Sequence, residues 1–127
     1  MRIGVVGTRF TPLHSPKWLL EIESFVKSLP QDAEVVVNGA PGTDEAVVEM
    51  GRARGLKVTV LFAGDDYGSD PRFFLHRNRT VIDHADELHA FWDGESHGTL
   101  HAITLARHQG LPVRVHMVHS EAWQRVS

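Results

Sequence analysis

Apolar and polar positions follow two rhythms along this chain. Short runs at Arg2–Val6, Glu34–Val37, Lys57–Phe62, Glu87–Phe91 and Pro112–His116 are dense in β-branched and aromatic residues, as strands buried on both faces are. Between them the apolar positions recur with a helical period. Trp18, Leu19, Ile22, Phe25, Val26 and Leu29 mark one helix, and Ala46, Val47, Met50 and Ala53 a second. Arg72–Ala85 predicts a third, with few large apolar residues, and Thr99–Gln109 a fourth. Punctuation agrees with the period. Ser15 and Pro16 suit a helix start and Pro30 ends that helix; Thr43 or Asp44 is expected to cap the second, and Gly55 and Gly110 to close the second and fourth. Ala63–Pro71 reads as a long polar connection, and Val118–Ser127 as a C-terminal extension with room for a short helix.

Strict alternation of strand and helix implies an α/β domain with a five-stranded, mainly parallel sheet between two helical layers, joined by right-handed crossovers. The 127 residues fit one domain over 1–127, with a core of about 2–116. Open parallel sheets bind ligands beyond the C-terminal ends of their strands, where strand order reverses. The loops Gly7–Phe10, Asn38–Asp44 and Trp92–Thr99 leave such ends and are expected to converge on one crevice.

Composition acts mainly by exclusion. A net charge of −3 gives no field that calls for nucleic acid or an anionic membrane. There is no cysteine, hence no disulfide, thiolate metal site or thiol nucleophile. No run reaches membrane-spanning length, and Met1–Val6 lacks the apolar region of a signal peptide, so a cytoplasmic location is expected.

The three loops carry the candidate chemistry. In the first, Gly7 permits close approach, Thr8 offers a hydroxyl and Arg9 a guanidinium that pairs with phosphate through two parallel N–H bonds. In the second, Asn38, Gly39, Gly42, Thr43 and Asp44 precede a helix. Their spacing is neither the dinucleotide fingerprint nor a P-loop, yet glycines at a helix start suit a phosphate or a ribose. Asp44 is placed either to accept from ribose hydroxyls or to complement the helix dipole. In the third, Trp92 offers a stacking face, Asp93 a carboxylate beside Gly94, and Gly98-Thr99 a glycine and a hydroxyl where a helix begins. Arg77 and Arg79, two apart on one helix, point different ways, so at most one faces the crevice. His97 and His101 are four apart but lack a third ligand, and no metal site is expected. No nucleophile elbow is present; Asp93 and Glu95 are the carboxylates available for acid–base work, with Arg77 as an assisting cation.

Taken in order, these segments resemble the SLOG superfamily. Val5-Val6-Gly7-Thr8-Arg9 is similar to its Gly-Ser-Arg motif, and Asn38–Asp44 to its Gly-Gly-Ala-x-Gly-x-Asp segment. Arg77-Asn78-Arg79 and Phe91–Thr99 resemble the YspA-related branch. The resemblance runs from Arg2 to about Val115. It implies a Rossmann-like fold, a nucleotide or nucleotide-derived ligand, no required cofactor, and a homodimer or higher homo-oligomer. Relatives include the LOG phosphoribohydrolases and the single-stranded-DNA-binding DNA-processing protein A. In the LOG motif Gly98 and Thr99 match the phosphate-binding Gly-Thr and Arg77 the assisting arginine, but the catalytic glutamate position falls on Ala102.

The resulting expectation is a small-molecule binding module for a nucleoside phosphate, NAD or ADP-ribose type of ligand, with phosphate on the Gly98-Thr99 helix end. The alternative is a hydrolase that cleaves an N-glycosidic or phosphate bond with Asp93 or Glu95. Single-stranded DNA binding is the weaker third reading, disfavoured by net charge.

Overall fold

A computed structural model describes residues 1–8, 16–61 and 71–118. Five strands and four helices alternate: β1 Arg2–Gly7, α1 Pro16–Ser28, β2 Glu34–Val37, α2 Thr43–Ala53, β3 Lys57–Val60, α3 Pro71–Asp83, β4 Glu87–Trp92, α4 His97–His108 and β5 Val113–Met117. All four strand pairings are parallel, in the order β3-β2-β1-β4-β5. The sheet is therefore wholly parallel, where the sequence reading allowed a mixed one. Strand order reverses between β1 and β4, and that is where such a sheet opens a crevice.

The two-faced burial of β1 divides the core. Ile3 and Val5 point to the α1 and α2 side, where they join Trp18, Ile22, Phe25, Val26, Val35, Val37, Val47 and Phe91. Val6 points to the other side with Leu88, Ala90, Val81, Ile82, Ala102, Ile103 and Ala106 of β4, α3 and α4. Gly4, on that second face, is a glycine because a Cβ there would stand 2.8 Å from the Cβ of Ala85. Trp18, Ile22, Phe25 and Val26 fall on one stripe of α1 and are buried, as their spacing requires.

Element ends differ from the sequence reading by one or two residues. The cap of α2 is Gly42, with φ of 87°, rather than Thr43 or Asp44, which already lie in the first helical turn. Helix α4 begins at His97 with Ser96 as its cap, two residues ahead of the expected start, so Gly98 and Thr99 belong to the first turn. Strand β3 ends at Val60, and the Ala63–Pro71 connection lies outside the described residues up to 70. Ser15, Arg9 and the extension from His119 are also outside them. Among the described residues no helix is long and apolar enough to cross a membrane.

Candidate functional site

The end of β1 is pressed against the start of α2. Thr43, fully buried, donates from Oγ1 to the Thr8 carbonyl at 2.8 Å and accepts from the Trp18 indole Nε1 at 3.2 Å. A Cβ on Gly7 would come within 2.5–2.6 Å of three Thr43 side-chain atoms. Gly7 is thus dictated first by packing of strand end on helix start. This close approach holds the backbone of Thr8 at the mouth of the crevice.

The Asn38–Gly42 loop is held by Asp44. Its Oδ2 accepts from the backbone N–H groups of Gly39 and Ala40, both at 3.0 Å. Gly39 and Gly42 supply φ of 106° and 87°, which a side chain would strain. The carboxylate therefore ties the loop from within the first turn of α2, beside Glu45. Between the two roles left open for Asp44, this geometry supplies a structural one: its charge complements the α2 dipole and fixes the loop.

The β4–α4 loop uses the same device at a different place. Asp93 Oδ1 accepts from the N–H groups of Glu95 at 2.9 Å and Ser96 at 2.7 Å. The Trp92 indole donates to the Ser96 carbonyl at 3.0 Å, and its body packs on the α3 and α4 side of the core. Ser96 has extended backbone and makes no side-chain cap; its Oγ lies 3.3 Å from Thr99 Oγ1. The first bond into the helix is Leu100 N–H to the Ser96 carbonyl, and the first turn of α4 carries no acidic residue. The N–H groups of the first turn and the positive end of the dipole are left for another acceptor.

These three constructions surround one hollow of about 370 Å³. From β1 and the residue after it come Val6, Gly7 and Thr8; from the second loop and α2, Asn38, Ala40 and Asp44. From α4 come Ser96, Gly98 and Thr99, and α3 contributes Asn78. Two polar atoms in its wall are buried with no hydrogen-bond partner: Thr8 Oγ1 and Asn38 Oδ1, on residues 9% and 4% exposed. Unsatisfied buried oxygens are uncommon in proteins, because each forfeits its hydration.

Of the residues singled out from sequence, the structure gathers Gly7, Thr8, Asn38, Asp44, Gly98 and Thr99 on this hollow. Gly39, Gly42 and Thr43 shape it from behind without lining it. Trp92 does not line it either; its indole braces the loop. Asp93 ties the same loop through Oδ1, and Gly94 and Glu95 are exposed; none of the three is among the residues lining the hollow. Arg77 is buried (1% exposed) and Arg79 is on the exposed face of α3, so neither arginine lines it. Arg9 lies outside the described residues. Ala102 is fully buried in the core under α4.

Sequence reasoning passed over Asn78, Ser96, Val6 and Ala40. Asn78 sits between the two arginines that drew attention. Its Nδ2 donates to the Gly98 carbonyl at 3.0 Å and lies 3.2 Å from His101 Nδ1, so α3 clamps the first turn of α4. His97 and His101 belong to no group of three ligands; among the described residues no cluster suited to a metal exists.

No family model matches this chain, and no curated protein matches it. Among solved structures, TM1055, determined by X-ray methods as a structural-genomics target, is similar with a TM-score of 0.67 at 24% identity. The match covers 88% of this chain and 71% of that one. The fold is Rossmann-like. At that identity the likeness speaks for the Rossmann-like architecture, and the hollow at its strand reversal has to be read from its own residues.

Proposed function

We propose that this chain binds a nucleotide or nucleotide-derived ligand in the hollow at the strand reversal, with a phosphate against the first turn of α4. The observation that carries the reading is the conjunction of an uncapped helix start with two buried, partnerless oxygens, Thr8 Oγ1 and Asn38 Oδ1, in the same wall. A phosphate accepts from the N–H groups of His97, Gly98 and Thr99 and meets the positive end of the α4 dipole. Gly98 fits that role, because a Cβ there would meet nothing within 4 Å: the space over this turn is open. The order of motifs along the chain supports grouping it with the SLOG proteins, and the fold is consistent with that grouping.

Binding is favoured over hydrolysis by the placement of the carboxylates. Asp44 is the one carboxylate lining the hollow among the described residues, and its Oδ2 is already shared by two backbone N–H groups. Calorimetric titration with AMP, NAD and ADP-ribose, alongside chromatography for released base or ribose phosphate, tests the reading. Saturable binding without turnover is the expected result. Release of free base would establish the hydrolase instead, and absence of binding by the whole panel would remove the proposal.

A further inference from the structure

The hollow is electrically two-ended. On the α4 side stand Ser96, Gly98 and Thr99, a first turn without an acid, and backbone N–H groups that need an acceptor. On the α2 side stand Asp44, 3% exposed, and Asn38 Oδ1, with Glu45 in the same first turn. Both helix starts point positive, but the α2 start already carries its own anions. A phosphate is attracted to α4 and repelled from α2.

The partnerless atoms add a second requirement. Asn38 Oδ1 only accepts hydrogen bonds, and Thr8 Oγ1 accepts two while donating one. A phosphate dianion can accept from the Thr8 hydroxyl but brings no donor for Asn38 Oδ1. Whatever fills the hollow must therefore bring hydrogen-bond donors besides its phosphate. They must lie within one hollow of about 370 Å³, a few bonds from the phosphate on α4. Sugar hydroxyls meet that condition, being close to the 5′ position, whereas the amino groups of a base lie farther out.

We infer that this hollow discriminates ribonucleotides from deoxyribonucleotides, with the ribose hydroxyls donating to Asn38 Oδ1 and Thr8 Oγ1. Asn38 is then the specificity-determining residue: it contacts the sugar, while α4 holds the phosphate. The inference rests on the binding reading above and goes further by fixing which end of the ligand lies where. An acceptor left unsatisfied in a buried site weakens binding by about tenfold or more.

The test is titration of the full chain with AMP, 2′-deoxy-AMP, 3′-deoxy-AMP and inorganic phosphate. AMP is expected to bind at least about tenfold more tightly than 2′-deoxy-AMP, and 3′-deoxy-AMP reports on the second hydroxyl. Asn38→Ala and Thr8→Val are expected to bring AMP down toward the deoxy forms, and the comparison on the unaltered chain needs neither variant to fold. If AMP and 2′-deoxy-AMP bind alike, the discrimination fails while nucleotide binding stands. If inorganic phosphate binds as tightly as AMP, the sugar assignment fails with the site reduced to an anion cradle. If none of the four binds, both readings fall together.

Discussion

Asp44 and Asp93 each fold a carboxylate back onto two backbone N–H groups, but on opposite sides of a helix start. Asp44 lies inside the first turn of α2 and reaches back to Gly39 and Ala40. Asp93 lies ahead of α4 and holds Glu95 and Ser96. The loops are comparably fixed, yet one helix start contains a buried anion and the other contains none. On the proposed reading, the position of the aspartate relative to the cap separates a structural joint at α2 from an anion receptor at α4. β1 lies between the two, which places both ends on one hollow.

That contrast can be broken most severely at the joint. Gly7→Ala forces a Cβ to within 2.5 Å of Thr43, a stiff β-branched residue held by Trp18 and Thr8. A loss of about 3 kcal/mol in urea unfolding is expected, at the upper end of what overpacking brings. Asp44→Ala removes a buried acceptor of two N–H bonds and should lose about 2–3 kcal/mol. Asp93→Ala, half-buried and solvated, should lose about 1 kcal/mol in the same experiment. Equal losses would erase the distinction between the two loops. On the receptor side, Gly98→Ala adds a methyl into open space and replaces a helical glycine. Stability should be unchanged or rise by up to about 1 kcal/mol, while AMP affinity falls about tenfold. A stability loss with intact affinity would make Gly98 a packing residue.

The remaining expected effect is a pH dependence and lies away from the hollow. His116 stacks on Phe91 at 4.5 Å on the α1 side of the sheet, with its Nε2 3.0 Å from His89 Nδ1. Burial first, then His89 and Arg114, lower its pKa from 6.5 to about 4. Between those values the unfolded chain binds a proton that the folded chain refuses, so stability declines as pH falls from about 6.5 toward 4. His116→Phe keeps the stack and should flatten that slope in urea unfolding followed against pH. An unchanged slope would assign the dependence to other groups.

The architecture was legible because strand and helix rhythms alternate without a break, and Trp18, Ile22 and Phe25 fall where the period puts them. Helix starts were harder to read. Gly42 and Ser96 cap through backbone conformation without a side-chain bond, so chemistry-based start signals pointed one or two residues late. At the site, polar residue types at strand ends pointed to Thr8, Asn38 and Thr99, which the structure places on one hollow. For Arg77 and Trp92 charge and aromaticity drew attention, whereas the burial of one and the Ser96 bond of the other are tertiary facts that the sequence does not display. Asn78 carried no such advertisement, since its role depends on how α3 crosses α4.

The central claim is that anion recognition belongs to α4 and not to α2. Following backbone amide signals by nitrogen–proton NMR during titration with AMP tests it most directly. The account predicts the largest shifts at His97, Gly98 and Thr99, with the amides of Thr43 and Glu45 nearly still. Dominant shifts at Thr43 and Glu45, or a silent first turn of α4 in the presence of bound AMP, would contradict it.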